Sequence, residues 1–246
     1  MPAEKQKQFH IVKRAIIMAA GKGERLRPVT LETPKPLIRV NGVRMIDSVI
    51  SALHKNGISE ICVVVGYLKE RFLPLEAKYP GLKLIENPDY DRANNISSLY
   101  YAREFLSDCI ILDGDQIIRN PDVLSPGFAR SGYNAVWTDD DTKEWLLTVE
   151  NGVIKDCSRT GGRGGWQLYS ISRWSAEDGA RLRRHLELEY RERKNTGIYW
   201  DDVALFCHPE DYALGVREMQ AGDVTEIDTL QELAAEDPDY LPLLER

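Results

Sequence analysis

Residues 14–37, RAIIMAAGKGERLRPVTLETPKPL, constrain the fold more than any other stretch of this chain. The stretch begins with the apolar run Ala15-Ile16-Ile17-Met18, which suits a buried parallel strand. Ala19-Ala20-Gly21-Lys22-Gly23 follows, and such small residues leave backbone N–H groups open to a ligand. Cations recur at Lys22, Arg25, Arg27 and Lys35. A strand feeding a glycine-rich, cation-rich loop suits a polyphosphate, because amides and cations meet its oxygens and the absent side chains permit close approach. Two better-known phosphate loops are excluded. The dinucleotide fingerprint needs a third glycine where Leu26 stands, and the Walker loop needs Ser or Thr where Gly23 stands. Pro34 and Pro36 predict an extended, non-helical setting for Lys35 close to the glycine loop.

Composition narrows the class. A chain of 246 residues with 43% hydrophobic and 29% charged residues can bury a full core. A formal net charge of −7 argues against a general nucleic-acid binder, whereas a nucleotide needs only a local group of cations. No apolar run approaches membrane-spanning length, and the polar start MPAEKQKQFHIVKR lacks a signal-peptide core. Cys62, Cys109, Cys157 and Cys207 are scattered, three of them in apolar runs, so free buried thiols are expected. The four histidines show no ligand spacing, and a reducing, cytoplasmic setting is expected.

Strand-like and helix-like segments alternate through the first half. Strands are predicted at 16–19, 61–65, 82–85 and 109–112, with helices at 45–56, 68–79 and 97–106. This order implies a mostly parallel sheet with right-handed crossovers, whose ligands sit beyond the carboxyl ends of the strands. Gly21, Lys35 and Asp115 then share one crevice. The second half is β-rich, with strands at 134–138, 145–149, 153–157 and 166–171 and a hairpin signal at Asn151-Gly152. A helix begins at Ser175, another contains 202–207, and a strand near 224–227 precedes a helix from Thr229. The stretch 159–165, RTGGRGG, reads as a mobile loop.

Asp113-Gly114-Asp115 after a strand offers two carboxylates at i, i+2, a hard-oxygen site for Mg²⁺. Asp228 is either a second ligand or the N-cap of the last helix, and period-2 geometry sets Glu226 nearby. Arg25 and Lys35 suit the charge on an α-phosphate and a leaving pyrophosphate. Asn87, Asn94, Asn95, Ser97 and Ser98 can read a pyrimidine edge or cap helices and turns. Trp145 beside Glu144, and Tyr199-Trp200 before Asp201, can hold a quaternary ammonium or pack in the core.

Ala19-Ala20-Gly21-x-Gly23-x-Arg25-Leu26-x-Pro28, followed by Thr33-Pro34-Lys35-Pro36-Leu37, resembles the signature of nucleotidyltransferases that activate sugar or alcohol phosphates. Within these, the chain is similar to the bacterial CTP:phosphocholine cytidylyltransferases at 65–70, 94–100, 113–115, Glu144-Trp145, Tyr199-Trp200-Asp201 and 226–228. The resemblance implies a Rossmann-like α/β fold, a mixed and mostly parallel sheet flanked by helices, with a small β-rich acceptor lobe. The polar, charged start reads as a tail over 1–13, ahead of one domain over 14–246. That domain has a nucleotide half at about 14–130, an acceptor half at about 131–225, and a closing strand and helix. By the same resemblance Asp115 is the direct Mg²⁺ ligand with Asp228, and Gly66, Asn87, Asn94 and Ser98 face CTP. Trp145, Tyr199 and Asp201, then Trp137 and Trp200, face choline.

The leading expectation is CMP transfer from CTP to phosphocholine by direct in-line attack. Aminoethylphosphonate, phosphoethanolamine or a sugar 1-phosphate are alternative acceptors. A glycosyltransferase built on Asp113-x-Asp115, or a nucleotide-binding module without activity, stands further off.

Overall fold

The computed structural model describes residues 9–244. Its sheet is built from β1 (Arg14–Ala19), β2 (Glu60–Val65), β3 (Leu82–Glu86) and β4 (Cys109–Asp113) in the first half. The second half adds β5 (Gly132–Thr142), β6 (Leu146–Glu150), β7 (Val153–Ser158), β8 (Gly162–Trp174) and β9 (Gly215–Glu218). The order is β7-β6-β8-β4-β1-β2-β3, with β5 on β8 and β9 on β5. Strands β4, β1, β2 and β3 run parallel, while β8 joins β4 antiparallel, so the expected mostly parallel sheet continues into an antiparallel lobe.

The apolar runs of the central strands are continuous because both faces are covered. Ala15, Ile17 and Ala19 of β1 enter one core with Ile61, Val63, Ile110 and Leu112. Ile16 and Met18 enter a second core on the other face with Val64, Cys109 and Ile111. Helix α1 (Met45–Lys55) covers the first face with Ile46, Val49, Ile50 and Leu53. Helices α2 (Ile96–Tyr101) and α3 (Ala176–Leu186) cover the second with Ile96, Leu99, Leu182 and Leu186. Each fully buried Leu or Ile contributes about 1.5–3 kcal/mol.

Several expectations shift on folding. The helix expected over 68–79 splits into a 3₁₀ turn, Lys69–Phe72, and a short helix, Pro74–Lys78, because Pro74 lacks the N–H that would continue the first turn. The helix expected over 97–106 ends at Tyr101 and tightens into a 3₁₀ turn, Arg103–Phe105. The RTGGRGG stretch is no loop beyond Gly161. Gly162, Arg163 and Gly165 pair with Thr142, Asp141 and Thr138 in the β5–β8 ladder. The tail expected over 1–13 is corrected at its end, since His10–Ile11 pairs with Gly127–Phe128; residues 1–8 lie outside the described ones. Asn151 and Gly152 carry φ of 52° and 73°, the left-handed pair that a tight hairpin requires. Cys62, Cys109, Cys157 and Cys207 are free thiols, the first three buried.

Candidate active site

A cavity of about 590 Å³ opens at the carboxyl ends of β1 and β4. Its first wall is the glycine loop. Gly21 is exposed, with nothing within 4 Å of the position a Cβ would take. Gly23 has φ of +61°, and a Cβ there would stand 3.0 Å from Lys35 Cβ and 3.0 Å from Thr30 Cγ2. Thr30 Oγ1 donates to Gly23 O at 2.9 Å and ties the loop down. Ala19, Gly21, Gly23 and Arg25 line the cavity; Ala20 and Lys22 do not. Ala20 is buried, and its carbonyl accepts from Tyr67 N.

Lys35 lies in a 3₁₀ turn, Lys35–Leu37, between extended Pro34 and Ile38, which corrects the extended setting expected for it. The Lys35 ammonium is 2.5 Å from Asp115 Oδ2 and 2.7 Å from Asp228 Oδ1. Arg25 reaches Asp228 Oδ1 at 3.2 Å. Burial pulls the Lys35 pKa down, but Asp115 and Asp228 outweigh it and leave it above its usual value. Asp228 shows the converse: burial pushes it up, and Lys35 and Arg25 hold it below its usual value.

Topology explains how Asp228 arrives. The strand Val224–Glu226 pairs antiparallel with Gln116–Ile118, immediately after Asp115. Asp228 does not cap the last helix, α4 (Leu230–Glu236). Thr229 is its N-cap, in a capping box with Glu232, and Glu232 Oε2 also accepts from Asp228 N. The Asp228 carboxylate is therefore free to face the cavity.

Asp113 and Glu226 complete an acidic wall. Loss of surrounding water, then Asp115 and Glu226, push Asp113 well above its usual pKa. Loss of water within the cavity, then the nearby Asp115 and Asp228, push Glu226 up to about 7, although Gln116 donates to it at 2.7 Å. Asp113, Asp115, Glu226 and Asp228 bring four carboxylates to one cavity. Their hard oxygens fit Mg²⁺.

The far wall comes from the second half. Trp145 and Tyr199 meet edge to face, with centroids 5.7 Å apart at 88°. Glu144 and Asp201 lie beside them in the cavity. Asp201 is buried, and its Oδ1 has no hydrogen-bond partner among the described residues. The Tyr133 hydroxyl sits beside it without a well-formed hydrogen bond. Burial pushes the Asp201 carboxyl up to about 7.

Other expected site residues serve the fold. Trp200 is 2% exposed and packs against Tyr133 and Trp174. Trp137 is half exposed, paired edge to face with Trp166, and outside the cavity lining. Asn87 donates to Ser97 and Ser98 at 2.9 Å each and accepts from Asp89 N, so these buried groups satisfy one another rather than a ligand. Gly66 backs directly onto Tyr90, whose Cβ would stand 2.6 Å from an added methyl. Asn94 bridges to Gly197 O, and its neighbour Asn95 lines the cavity while accepting from Trp200 N. Ser170 and Leu168 of β8 also line it. They lie at i, i+2 in the strand expected over 166–171, so both side chains share one strand face.

The molecule matches known proteins along most of its length. A sequence model of the Nucleotidyl transferase family matches residues 14–126. A 2-aminoethylphosphonate cytidylyltransferase of Lancefieldella rimae is 40% identical, covering 94% of each chain. A choline-phosphate cytidylyltransferase of Streptococcus pneumoniae is 32% identical, covering 89% of this chain and 94% of its own. The solved CTP:phosphocholine cytidylyltransferase from Streptococcus pneumoniae superposes with a TM-score of 0.81 at 31% identity, covering 95% of this chain and 99% of that one. No helix among the described residues is long and apolar enough to cross a membrane. With this shared fold, and sequence likeness running through both halves, the chain belongs to the nucleotidyl transferase family and is a cytidylyltransferase.

Proposed function

We propose that the chain transfers CMP from CTP to a small phosphorus-bearing acceptor with a cationic nitrogen, 2-aminoethylphosphonate first. The Asp201 carboxylate, which lines the cavity beside Trp145 and Tyr199, carries this reading. A primary ammonium brings N–H donors to such an acceptor, and a quaternary ammonium brings none. Glu144 adds a second carboxylate, and the 40% identical relative is named for this acceptor. Phosphocholine is the second reading. The Trp145–Tyr199 corner favours it, because aromatic faces attract a cation that has no donor to offer.

The chemistry follows from the acidic and basic walls. An anionic oxygen of the acceptor attacks the α-phosphorus of CTP; that P–O bond forms as the bond to pyrophosphate breaks. The acceptor is already ionised, so no base is needed. Arg25 and Lys35 neutralise charge on the α-phosphate and the departing pyrophosphate. The exposed loop at Gly21 offers backbone amides to the triphosphate. Asp115 and Asp228 would hold Mg²⁺, with Asp113 and Glu226 beside them. Bound there, the ion would offset phosphate charge and orient the triphosphate.

A pyrophosphate-release panel tests this. Each NTP is paired with 2-aminoethylphosphonate, phosphocholine, phosphoethanolamine and glucose 1-phosphate. The reading expects CTP with 2-aminoethylphosphonate to give the highest kcat/KM. A preference for glucose 1-phosphate would overturn it, and a preference for phosphocholine would install the second reading.

A further inference from the structure

A second group of donor side chains stands apart from the catalytic cavity. His185 lies in the last turn of α3, which continues as a π-helical stretch, Glu187–Glu192. His208 and Asp211 come from the turn after another π-helical stretch, Val203–Cys207. The two imidazoles stack with centroids 3.9 Å apart and planes 16° apart. His185 Nε2 is 3.5 Å from Asp211 Oδ2, and His208 Nδ1 is 3.9 Å from the same oxygen. One donor atom from each residue lies within 4.8 Å of the other two.

The remaining nitrogen of each ring is already engaged. His208 Nε2 lies 2.9 Å from Glu189 Oε1, and His185 Nδ1 lies 2.8 Å from the Tyr212 hydroxyl. Glu189 is 1% exposed and also accepts from Arg193 and Asn195. The Arg193 ion pair at 2.7 Å and the Asn195 donor at 3.2 Å suit an ionised carboxyl. An ionised carboxylate at Nε2 holds a proton there. In the neutral ring it leaves the Nδ1 lone pair on the Asp211 side. This is how a carboxylate orients a metal-binding imidazole.

We propose that His185, His208 and Asp211 form a site for a divalent transition metal, with Zn²⁺ the best match. Two imidazole nitrogens and one carboxylate oxygen suit Zn²⁺ rather than Mg²⁺, and water completes a tetrahedral set. Two near-parallel rings cannot both hold one ion in their planes, so one must turn about its Cβ–Cγ bond. His185 turns, because a hydroxyl alone engages its far nitrogen; His208 is fixed by the ionised Glu189. The ion ties the end of α3 to the turn at 208–211. Glu189 extends the tie to Asn195, the start of the segment that leads to Tyr199.

The test uses the full chain, freed of metal by a chelator and then titrated with ZnCl₂ in buffer holding millimolar Mg²⁺. The expected result is one equivalent of Zn²⁺ bound, a raised melting temperature, and the visible absorption of tetrahedral Co²⁺ when CoCl₂ replaces zinc. H185A/H208A loses the binding, E189Q weakens it roughly ten- to a hundredfold, and D115N/D228N retains it. Absent stoichiometric binding, or binding that survives H185A/H208A, overturns the site. Binding lost in D115N/D228N overturns it equally, by marking the catalytic carboxylates as the adventitious ligands. If the alanine pair does not fold, imidazole NMR of the wild-type chain decides: the His185 and His208 signals move on zinc addition, or the proposal falls.

Discussion

The Lys35 ammonium lies 2.7 Å from the Asp228 carboxylate, across 193 positions of sequence. The same ammonium meets Asp115 at 2.5 Å, so one cation gathers both carboxylates proposed to hold the metal. Lys35→Ala removes this cation from the developing charge of the transition state. The expected loss is on the order of a hundredfold or more in kcat/KM. Arg25→Ala is expected to cost less, because its side chain is 69% exposed. Steady-state rates of pyrophosphate release check both, and a Lys35→Ala enzyme within a few-fold of wild type would remove Lys35 from the chemistry.

Asp201 links acceptor binding to pH. Its folded pKa of about 7 lies above the ordinary carboxylate value of 3.8. The folded state therefore keeps a proton that the unfolded chain has lost between about pH 4 and pH 7. Its contribution to stability is fully favourable below that window and is lost as pH rises through it. Asp201→Asn is expected to stabilise the fold more at pH 8 than at pH 5, by up to a few kcal/mol, since each pKa unit is worth about 1.4 kcal/mol, and so to raise the melting temperature more at pH 8. The same substitution raises the acceptor KM. Equal melting shifts at both pH values would contradict the charge argument.

Trp145 and Tyr199 form a corner against which the acceptor nitrogen is proposed to rest. Trp145→Ala is expected to raise the acceptor KM about three- to thirtyfold, from the roughly 0.5–2 kcal/mol of a cation–aromatic contact. The KM for CTP should hardly move. Paired KM measurements separate the two, and a shift confined to CTP would reassign the corner.

The two loop glycines predict opposite behaviours. Gly23→Ala meets Lys35 and Thr30 at 3.0 Å and takes φ of +61°, so it is expected to lose stability by about 1–2 kcal/mol as well as activity. Gly21→Ala meets nothing within 4 Å and should unfold like wild type, yet raise the KM for CTP by crowding the triphosphate. Thermal unfolding alongside CTP titration checks the pair. A destabilised Gly21→Ala, or one with unchanged KM, would contradict the reading of an open phosphate loop.

Sequence by itself determined the scaffold and the chemistry of the first wall. The short apolar runs 15–19, 61–65 and 109–112 suit buried strands covered on both faces, and in the fold alternate residues of each enter different cores. Glycine, arginine and lysine between 21 and 35 pointed to a polyphosphate loop because their backbone and charge properties are local. Tertiary structure decided the rest. Whether Asp228 caps a helix or faces a ligand depends on Thr229 and Glu232 taking the cap, a competition settled by geometry rather than by residue type. Trp145 and Trp200 are alike in sequence, yet one lines the cavity and the other fills the core. Asn87, Ser97 and Ser98 look like ligand readers until folding turns the Asn87 amide onto the two serine oxygens. Pairing across long separations sets which polar groups are satisfied within the fold and which face the cavity.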